Sequence, residues 1–257
     1  MNLEEYERMY RFEDTYWWFV ARRDLVLQLI KQAYPGCSDL RILDIGCGTG
    51  AMLDNMSGYG DVVGADFSEE ALKFCRERNR DTPLVRSDAC RLPFATNTFD
   101  VITAMDIVEH IGDDKAAMQE ICRVLKPGGR VFITVPAYRS LWSEHDEALH
   151  HFRRYTAPQV KDLAHRTGLT VERLTYTVTS LFPAIWLYRQ ISNRIPKKRA
   201  PGEKRADIVQ VPAPVNSALL KLLRLENVAA RSVKFPFGLT VVCVARKDEP
   251  EKKRTAE

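Results

Sequence analysis

The chain has no apolar run long enough to cross a bilayer. Its longest, Leu181 to Ile191, is interrupted by Pro183, Tyr188, Arg189 and Gln190 and falls short of the roughly 20 residues a span needs. Nor does it open on the basic, apolar and small-residue succession of a signal peptide. Its six cysteines, at 37, 47, 75, 90, 122 and 243, form no CxxC and no paired spacing, which excludes a disulfide framework and a zinc ribbon and fits a reducing cytoplasm. A large excess of one charge is lacking too: 38 Lys and Arg face 34 Asp and Glu, a net charge of +4. The excess basic residues gather in Pro196–Arg199, Lys204-Arg205 and Lys252–Arg254, which read as solvated runs and not as a nucleic-acid surface. Nucleic acid is therefore not an expected partner.

What is present is a chain of 257 residues, 45% hydrophobic, enough for one substantial core with insertions. Apolar segments alternate between strand and helix character. Helices are predicted over 2–12 and 18–34, the second with Phe19, Val20, Leu25, Val26, Leu29 and Ile30 at helical spacing and Pro35-Gly36 at its end. Strands are predicted at 41–45, 62–66, 84–86, 100–105 and 130–135, with helices near 50–56, 69–79 and 113–125 between them. This pattern implies a parallel sheet covered on both faces. Helix 159–167 and strands 169–177 and 239–246 follow.

The stretch Arg41-Ile-Leu-Asp-Ile-Gly-Cys-Gly-Thr-Gly50 ends an apolar run with an acid and three alternate glycines. Such a loop lets backbone approach a ligand closely while the next helix aims its amides at the same place. A second apolar run ends at Asp66, about 20 residues past the glycines, where an acid accepts hydrogen bonds from ribose hydroxyls. Gly46-x-Gly48-x-x-Ala51 also meets the relaxed dinucleotide pattern. Asp44 argues against that reading, because it would repel a pyrophosphate but hold an ammonium or hydroxyl group.

With Ser87-Asp88-Ala89, Phe99-Asp-Val-Ile102 and Val124-Leu-Lys-Pro-Gly-Gly129, five ordered motifs stand between residues 40 and 135. On these the sequence resembles the class I S-adenosylmethionine-dependent methyltransferases, most closely the small-molecule branch typified by ubiquinone-biosynthesis methylases. The resemblance implies an α/β fold: a Rossmann-like, doubly wound seven-stranded sheet whose last strand is antiparallel. Under it, Asp44, Gly46, Cys47, Gly48 and Gly50 cradle the methionine part of S-adenosylmethionine, Asp66 holds the ribose, Phe67 packs on the adenine, and Asp88 and Ala89 flank it. Met105, at the end of the fourth strand, and Trp17 and Arg23, in the N-terminal helix, are further expected cofactor contacts, with Arg22 an alternative partner for the cofactor's carboxylate. S-Adenosylhomocysteine would be the product.

The expected organisation is an N-terminal helical lid at 1–38, a cofactor-binding core at 39–178, a helical substrate cap at 179–235, the last strand at 236–247 and a disordered tail at 248–257. A packing element or dimer contact is the other reading of 179–235. Its apolar helix beside a basic loop also permits peripheral contact with anionic lipid at the inner membrane surface.

Methyl transfer needs an aligned nucleophile, excluded water and, for some acceptors, a base. Candidates should lie past strands four and five. Asp106-Ile-Val-Glu-His110 is expected to open the next helix, with His110 either a base or a shelf under the cofactor and Asp106 a base or a helix cap. The loop 136–155 holds three histidines, from which His145 and His150 are taken as the proton-handling pair. Arg153 and Arg154 are assigned to anion binding. Tyr16, Tyr138, Trp142, Tyr155 and Trp186 complete the expected acceptor site. A metal site from His145, Asp146 and His150 lacks regular ligand spacing, so no metal is expected. The resulting expectation is an enzyme that methylates a small-molecule or lipid-like amphiphile, O-methylation ahead of C or N. The rivals are an NAD-dependent oxidoreductase, an RNA methyltransferase and a non-catalytic protein on the same fold.

Overall fold

The computed structural model describes residues 3–78, 81–192 and 211–249. The three basic runs thus fall largely outside the described residues, as does most of the expected tail.

The described chain runs α1 (Leu3–Phe12), α2 (Trp17–Ala33), β1 (Leu40–Ile45), α3 (Leu53–Met56), β2 (Gly60–Asp66), α4 (Glu69–Arg78), β3 (Leu84–Arg86) and β4 (Phe99–Met105). It continues α5 (Asp114–Val124), β5 (Leu125–Pro136), α6 (Glu144–Ala148), α7 (Ala157–Arg166), β6 (Leu169–Thr177), α8 (Phe182–Ser192), α9 (Ala213–Ala230) and β7 (Thr240–Lys247). The seven strands form one sheet in the order β3-β2-β1-β4-β5-β7-β6. Strands β3, β2, β1, β4 and β5 pair in parallel, and β7 is antiparallel to both neighbours. The sheet is the doubly wound one expected, with its last strand reversed.

Strand alternation explains how one sheet serves two cores. Ile42, Val101, Phe132, Val242 and Val244 point to one face, where they meet Leu25, Val26, Leu29 and Ile30 of α2 and Leu72 of α4. Leu43, Ile102, Val131, Ile133, Val241 and Cys243 point to the other, against Met118 and Ile121 of α5 and Val160 and Ala164 of α7. A third, smaller cluster joins Trp17 and Ala21 of α2 to Leu141, Val178, Leu223 and Leu239, with Phe182 and Ile185 of α8 packed against it.

Three local expectations are corrected. Strand β5 starts at Leu125, not 130, because the Lys-Pro-Gly-Gly segment pairs back on β4 through an irregular register between Phe99 and Val101. Residues 106–110 do not open α5. Asp106 takes a left-handed φ of 50°, Val108–His110 form one 3₁₀ turn, and Asp113 caps α5 by accepting from the Ala116 amide at 2.9 Å. Finally, the loop after β5 contains α6, held by a capping box in which the Ser143 amide donates to Asp146 at 2.9 Å.

Candidate active site

Strand order reverses between β1 and β4, and the crevice beyond the carboxyl ends of such strands is where α/β sheets bind ligands. A cavity of ≈ 1050 Å³ opens there, at the upper end of the range for small-molecule sites and large enough for a cofactor and a second molecule.

Its floor is the glycine loop. Gly46 (φ 70°) and Gly48 (φ 55°) occupy left-handed backbone, which strains residues bearing a Cβ. A Cβ on Gly46 would lie 2.6 Å from Cγ1 of Ile107, whereas one on Gly48 would meet nothing nearer than Cε of Met9 at 3.6 Å and would fill cavity space. Asp66 at the tip of β2 accepts from the amides of Gly48 (2.9 Å) and Ser68 (2.8 Å). Burial raises its carboxyl above the usual range while those amides oppose the rise. Asp44 lies deeper and takes the Thr103 hydroxyl at 2.6 Å, and burial pushes it up to about 7.

Of the residues assigned to the cofactor, Gly46, Gly48, Asp66, Phe67, Asp88, Ala89, Met105 and Trp17 line the cavity. Phe67 sits there largely exposed. Asp44, Cys47, Gly50 and Arg23 do not line it. Arg23 turns instead to the carbonyl of Glu13 and the carboxylate of Asp14. Its neighbour Arg22 faces the cavity, pairs with Asp106 and has its pKa lowered to about 10 by burial.

The opposite wall is a chamber of acids and histidines. Glu109 is fully buried, and burial raises its carboxyl to about 8 against the pull of Arg22 and Arg154. His110 packs edge-on to His151 with ring centroids 4.5 Å apart. His151 Nδ1 lies 2.9 Å from Oδ1 of Asp146. Arg154 grips the same carboxylate in bidentate fashion, at 2.7 and 3.1 Å. Burial alone would raise Asp146, but His151, Arg154 and the Ser143 amide hold it well below the usual carboxylate range. Burial drives both His110 and His145 down to about 3, so both rings are neutral at ordinary pH.

The loop residues therefore divide differently from expectation. His110, His145 and His150 all line the cavity, but His150 is exposed at its edge with a left-handed φ of 57°. Of the pair His150-His151, it is His151 that turns inward to the buried carboxylate. Arg153 is not free for an anion, since it pairs with Asp114 at 2.6 Å and donates to the Gly112 carbonyl. Arg154 lines the cavity but is committed to Asp146. Tyr16 lines the cavity, whereas Tyr138, Trp142, Tyr155 and Trp186 do not. Tyr138 stacks on Tyr176 at 5.2 Å, Tyr155 donates its hydroxyl to Asp114, and Trp186 is turned outward and 42% exposed. The apolar wall comes from Ile185 and Tyr188 of α8, Leu219 of α9, Val211 and Leu239.

Whether these residues suit a polar cofactor is answered by unsatisfied atoms. Trp17 Nε1, Arg22 Nε and Ser87 Oγ are buried without hydrogen-bond partners, and so are both carboxylate oxygens of Glu109. All four residues line this one cavity. Native proteins rarely leave such groups unpaired, so their convergence marks a place built for a polar guest.

The family description "Methyltransferase domain" matches residues 43–133. A ubiquinone/menaquinone biosynthesis C-methyltransferase of Idiomarina loihiensis is 40% identical over 120 residues, covering 41% of this chain and 48% of that protein. Residues 43–133 thus match a methyltransferase domain, in line with the resemblance carried by the five motifs. The human mitochondrial ubiquinone biosynthesis O-methyltransferase is 27% identical over 188 residues, or 64% of this chain and 51% of that one. The chain thus spans about half the length of the curated relatives it matches. Its fold is also that of Haemonchus contortus phosphoethanolamine N-methyltransferase 2, solved with S-adenosyl-L-methionine. That match has a TM-score of 0.57 at 22% identity and covers 87% of this chain and 52% of the other. The methyltransferase domain fits the floor of the cavity, because its matched residues include the glycine loop, Asp66, Asp88 and Met105.

Proposed function

We propose that the protein transfers a methyl group from S-adenosylmethionine to a hydroxyl of an amphiphilic small molecule of the quinone-precursor kind. The observation that carries this is the single cavity, which joins a cofactor floor to a chamber of histidines and carboxylates under an apolar wall. When bound, the cofactor supplies an activated methyl group on a sulfonium. The protein's own residues then have three tasks: to hold it, to exclude water and to orient the nucleophile. Asp66 and the loop Gly46–Gly50 would hold the ribose and methionine portions, and Arg22, with Nε unpaired, is the better placed arginine for an anionic group. The aromatic roof of Tyr16, Trp17, Trp18 and Phe19 faces the same space and would attract a sulfonium through its ring faces.

O-Methylation is favoured over C-methylation because the chamber offers a carboxylate-bound imidazole, which suits removal of a hydroxyl proton. The apolar wall of α8 and α9 suits the tail of the acceptor, and we read residues 179–235 as a substrate cap.

Calorimetric titration with S-adenosylhomocysteine tests the cofactor part. Micromolar binding to the wild type that is lost in Asp66→Ala is expected, since the substitution removes both the ribose acceptor and the tie to the Gly48 amide. No binding to the wild type, with NAD bound instead, would overturn the reading. Carbon-13 labelled methyl groups on the product of a phenol and quinol panel would then separate transfer to oxygen from transfer to carbon by chemical shift.

A further inference from the structure

We infer that His151 is the general base of this site, positioned by Asp146 and Arg154. The inference rests on the methyl-transfer reading above and names the residue that removes the proton.

A carboxylate can only accept a hydrogen bond. The 2.9 Å contact between His151 Nδ1 and Asp146 Oδ1 therefore places the ring proton on Nδ1 and leaves the lone pair on Nε2. Asp146 is itself fixed from three directions, by the two guanidinium bonds of Arg154 and by the Ser143 amide. Arg154 is anchored in turn on the Ala137 carbonyl at 3.1 Å, at the end of β5. Neither Asp146 nor the His151 side chain has appreciable exposure, at 0% and 5%. The imidazole is thus aimed by a rigid chain running from the sheet through Arg154 and Asp146 to a residue that lines the cavity.

The other histidines are less suited. Burial opposes a positive charge on His110 and His145 and so makes them poor proton acceptors, and His150 stands exposed at the cavity edge. His110 lies edge-on to His151 and His145 flanks it at 6.3 Å between centroids. The groups that face His151 are Asp146, Arg154, Glu109, His110 and His145, with Arg189 of α8 reaching Asp146 at 3.7 Å. A positive charge formed on His151 is balanced by the Asp146 carboxylate, the same arrangement of base and orienting acid that serves other proton transfers.

The step balances as follows. The O–H bond of the acceptor breaks and its proton passes to Nε2 of His151. The freed oxygen pair forms the new bond to the methyl carbon, and the pair of the old methyl–sulfur bond stays on sulfur. Product release returns the proton to water.

The test uses the full-length protein saturated with S-adenosylhomocysteine and 4-nitrocatechol as a chromogenic phenol whose absorbance reports ionisation. In the wild type the bound phenol is expected to ionise at least about one pH unit lower than in solution, as a nearby base with a charge partner dictates. H151Q should abolish that displacement while its affinity for S-adenosylhomocysteine stays unchanged. D146N should do the same, and D146E should recover part of it. Should D146N fail to fold, nitrogen-15 NMR of the wild-type histidines decides, since His151 must show the tautomer protonated at Nδ1.

Ionisation in H151Q equal to that of the wild type, or a His151 protonated at Nε2 instead, overturns the inference. So does a wild type that binds S-adenosylhomocysteine but takes up no phenol. Glu109, His110 and His151 also bring potential ligand atoms within 4.8 Å of one another. Ionisation that requires added Mg²⁺ or Zn²⁺ and is erased by EDTA would make His151 a ligand and not a base. Failure of the wild type to bind S-adenosylhomocysteine refutes the methyltransferase reading itself.

Discussion

Glu109 shows how much a single residue of this site is displaced from ordinary behaviour. Its carboxyl is wholly buried, bonded to no other residue, and titrates near 8 instead of 4.5. A group whose pKa is raised on folding adds stability that is complete below its unfolded value and is lost as pH climbs to the folded one. Wild type should therefore weaken between pH 4.5 and 8. Below 6.5 the neutral His110 and His145, lowered on folding, act in the opposite sense and cost stability as pH falls. From pH 6.5 to 8 those histidines contribute little, and the loss at Asp44, raised to about 7, is common to wild type and a Glu109 variant. There, at about 1.4 kcal/mol per pH unit, wild type should lose about 2 kcal/mol relative to Glu109→Gln. Urea unfolding of both proteins at the two pH values measures it, and a constant difference would mean that Glu109 ionises freely in the cavity. Bound cofactor or acceptor that donates to Glu109 would reduce the effect.

At the scale of elements, the turn that follows α1 is clipped onto the glycine loop by charged contacts, while Tyr10 of α1 packs on Phe74 of α4. The Thr49 hydroxyl donates to Glu13, Arg78 of α4 pairs with both Glu13 (3.0 Å) and Asp14 (2.6 Å), and Arg23 of α2 reaches the Glu13 carbonyl. Glu5, Tyr6 and Met9 of α1 line the cavity just before that turn, so loosening the clip should open a route for cofactor exchange. Glu13→Ala should speed dissociation of S-adenosylhomocysteine by about tenfold, since a buried hydrogen bond to a charged group contributes about 1.5–3 kcal/mol. Stopped-flow emission from Trp17 and Trp18 would report it, and an unchanged rate would show that α1 does not gate the site.

The elements themselves were legible, because the short apolar runs at β1, β2, β4, β6 and β7 and the α2 stripe depend on local spacing alone. Part of the cavity floor was legible for the same reason: Gly46, Gly48, Asp66, Asp88 and Met105 follow strands in fixed order and line it. The chamber was not. Whether His150 or His151 turns inward depends on the left-handed backbone at His150, and whether Arg22 or Arg23 faces the cavity depends on how α2 rolls on the sheet and α9. The partners of Arg153 and Arg154, Asp114 and Asp146, lie on different elements, and no spacing rule pairs them. His151 carried a signal in being one of three histidines near an aspartate, but the choice among them is tertiary.

The outer surface of the whole molecule is uneven in a way that bears on how an apolar acceptor arrives. No residue of α8 is buried, and Trp186, Leu187, Tyr188 and Ile191 are all exposed. Val215, Leu222, Leu225 and Val228 of α9 are exposed as well. No helix among the described residues is long and apolar enough to cross a membrane, which leaves an interfacial helix as the form a lipid contact would take. Tyr188 and Ile185 line the cavity while Trp186 and Leu187 face out, so one helix meets both the site and the surroundings. The sequence after α8 contains Arg194, Lys197, Lys198, Arg199, Lys204 and Arg205, a charge that favours anionic headgroups by about 1 kcal/mol for each basic residue held near them. Vesicles containing phosphatidylglycerol should therefore sediment with the protein at low salt, and phosphatidylcholine vesicles should do so much less. Raising the salt should weaken the association, because exposed charges are screened within about 10 Å at 0.1 M. Trp186→Ser with Leu187→Ser should weaken it without changing affinity for S-adenosylhomocysteine, because neither side chain lines the cavity. If the double variant sediments like wild type, the α8 surface is not the contact; if wild type stays in the supernatant at low salt, the acceptor must reach the site from solution.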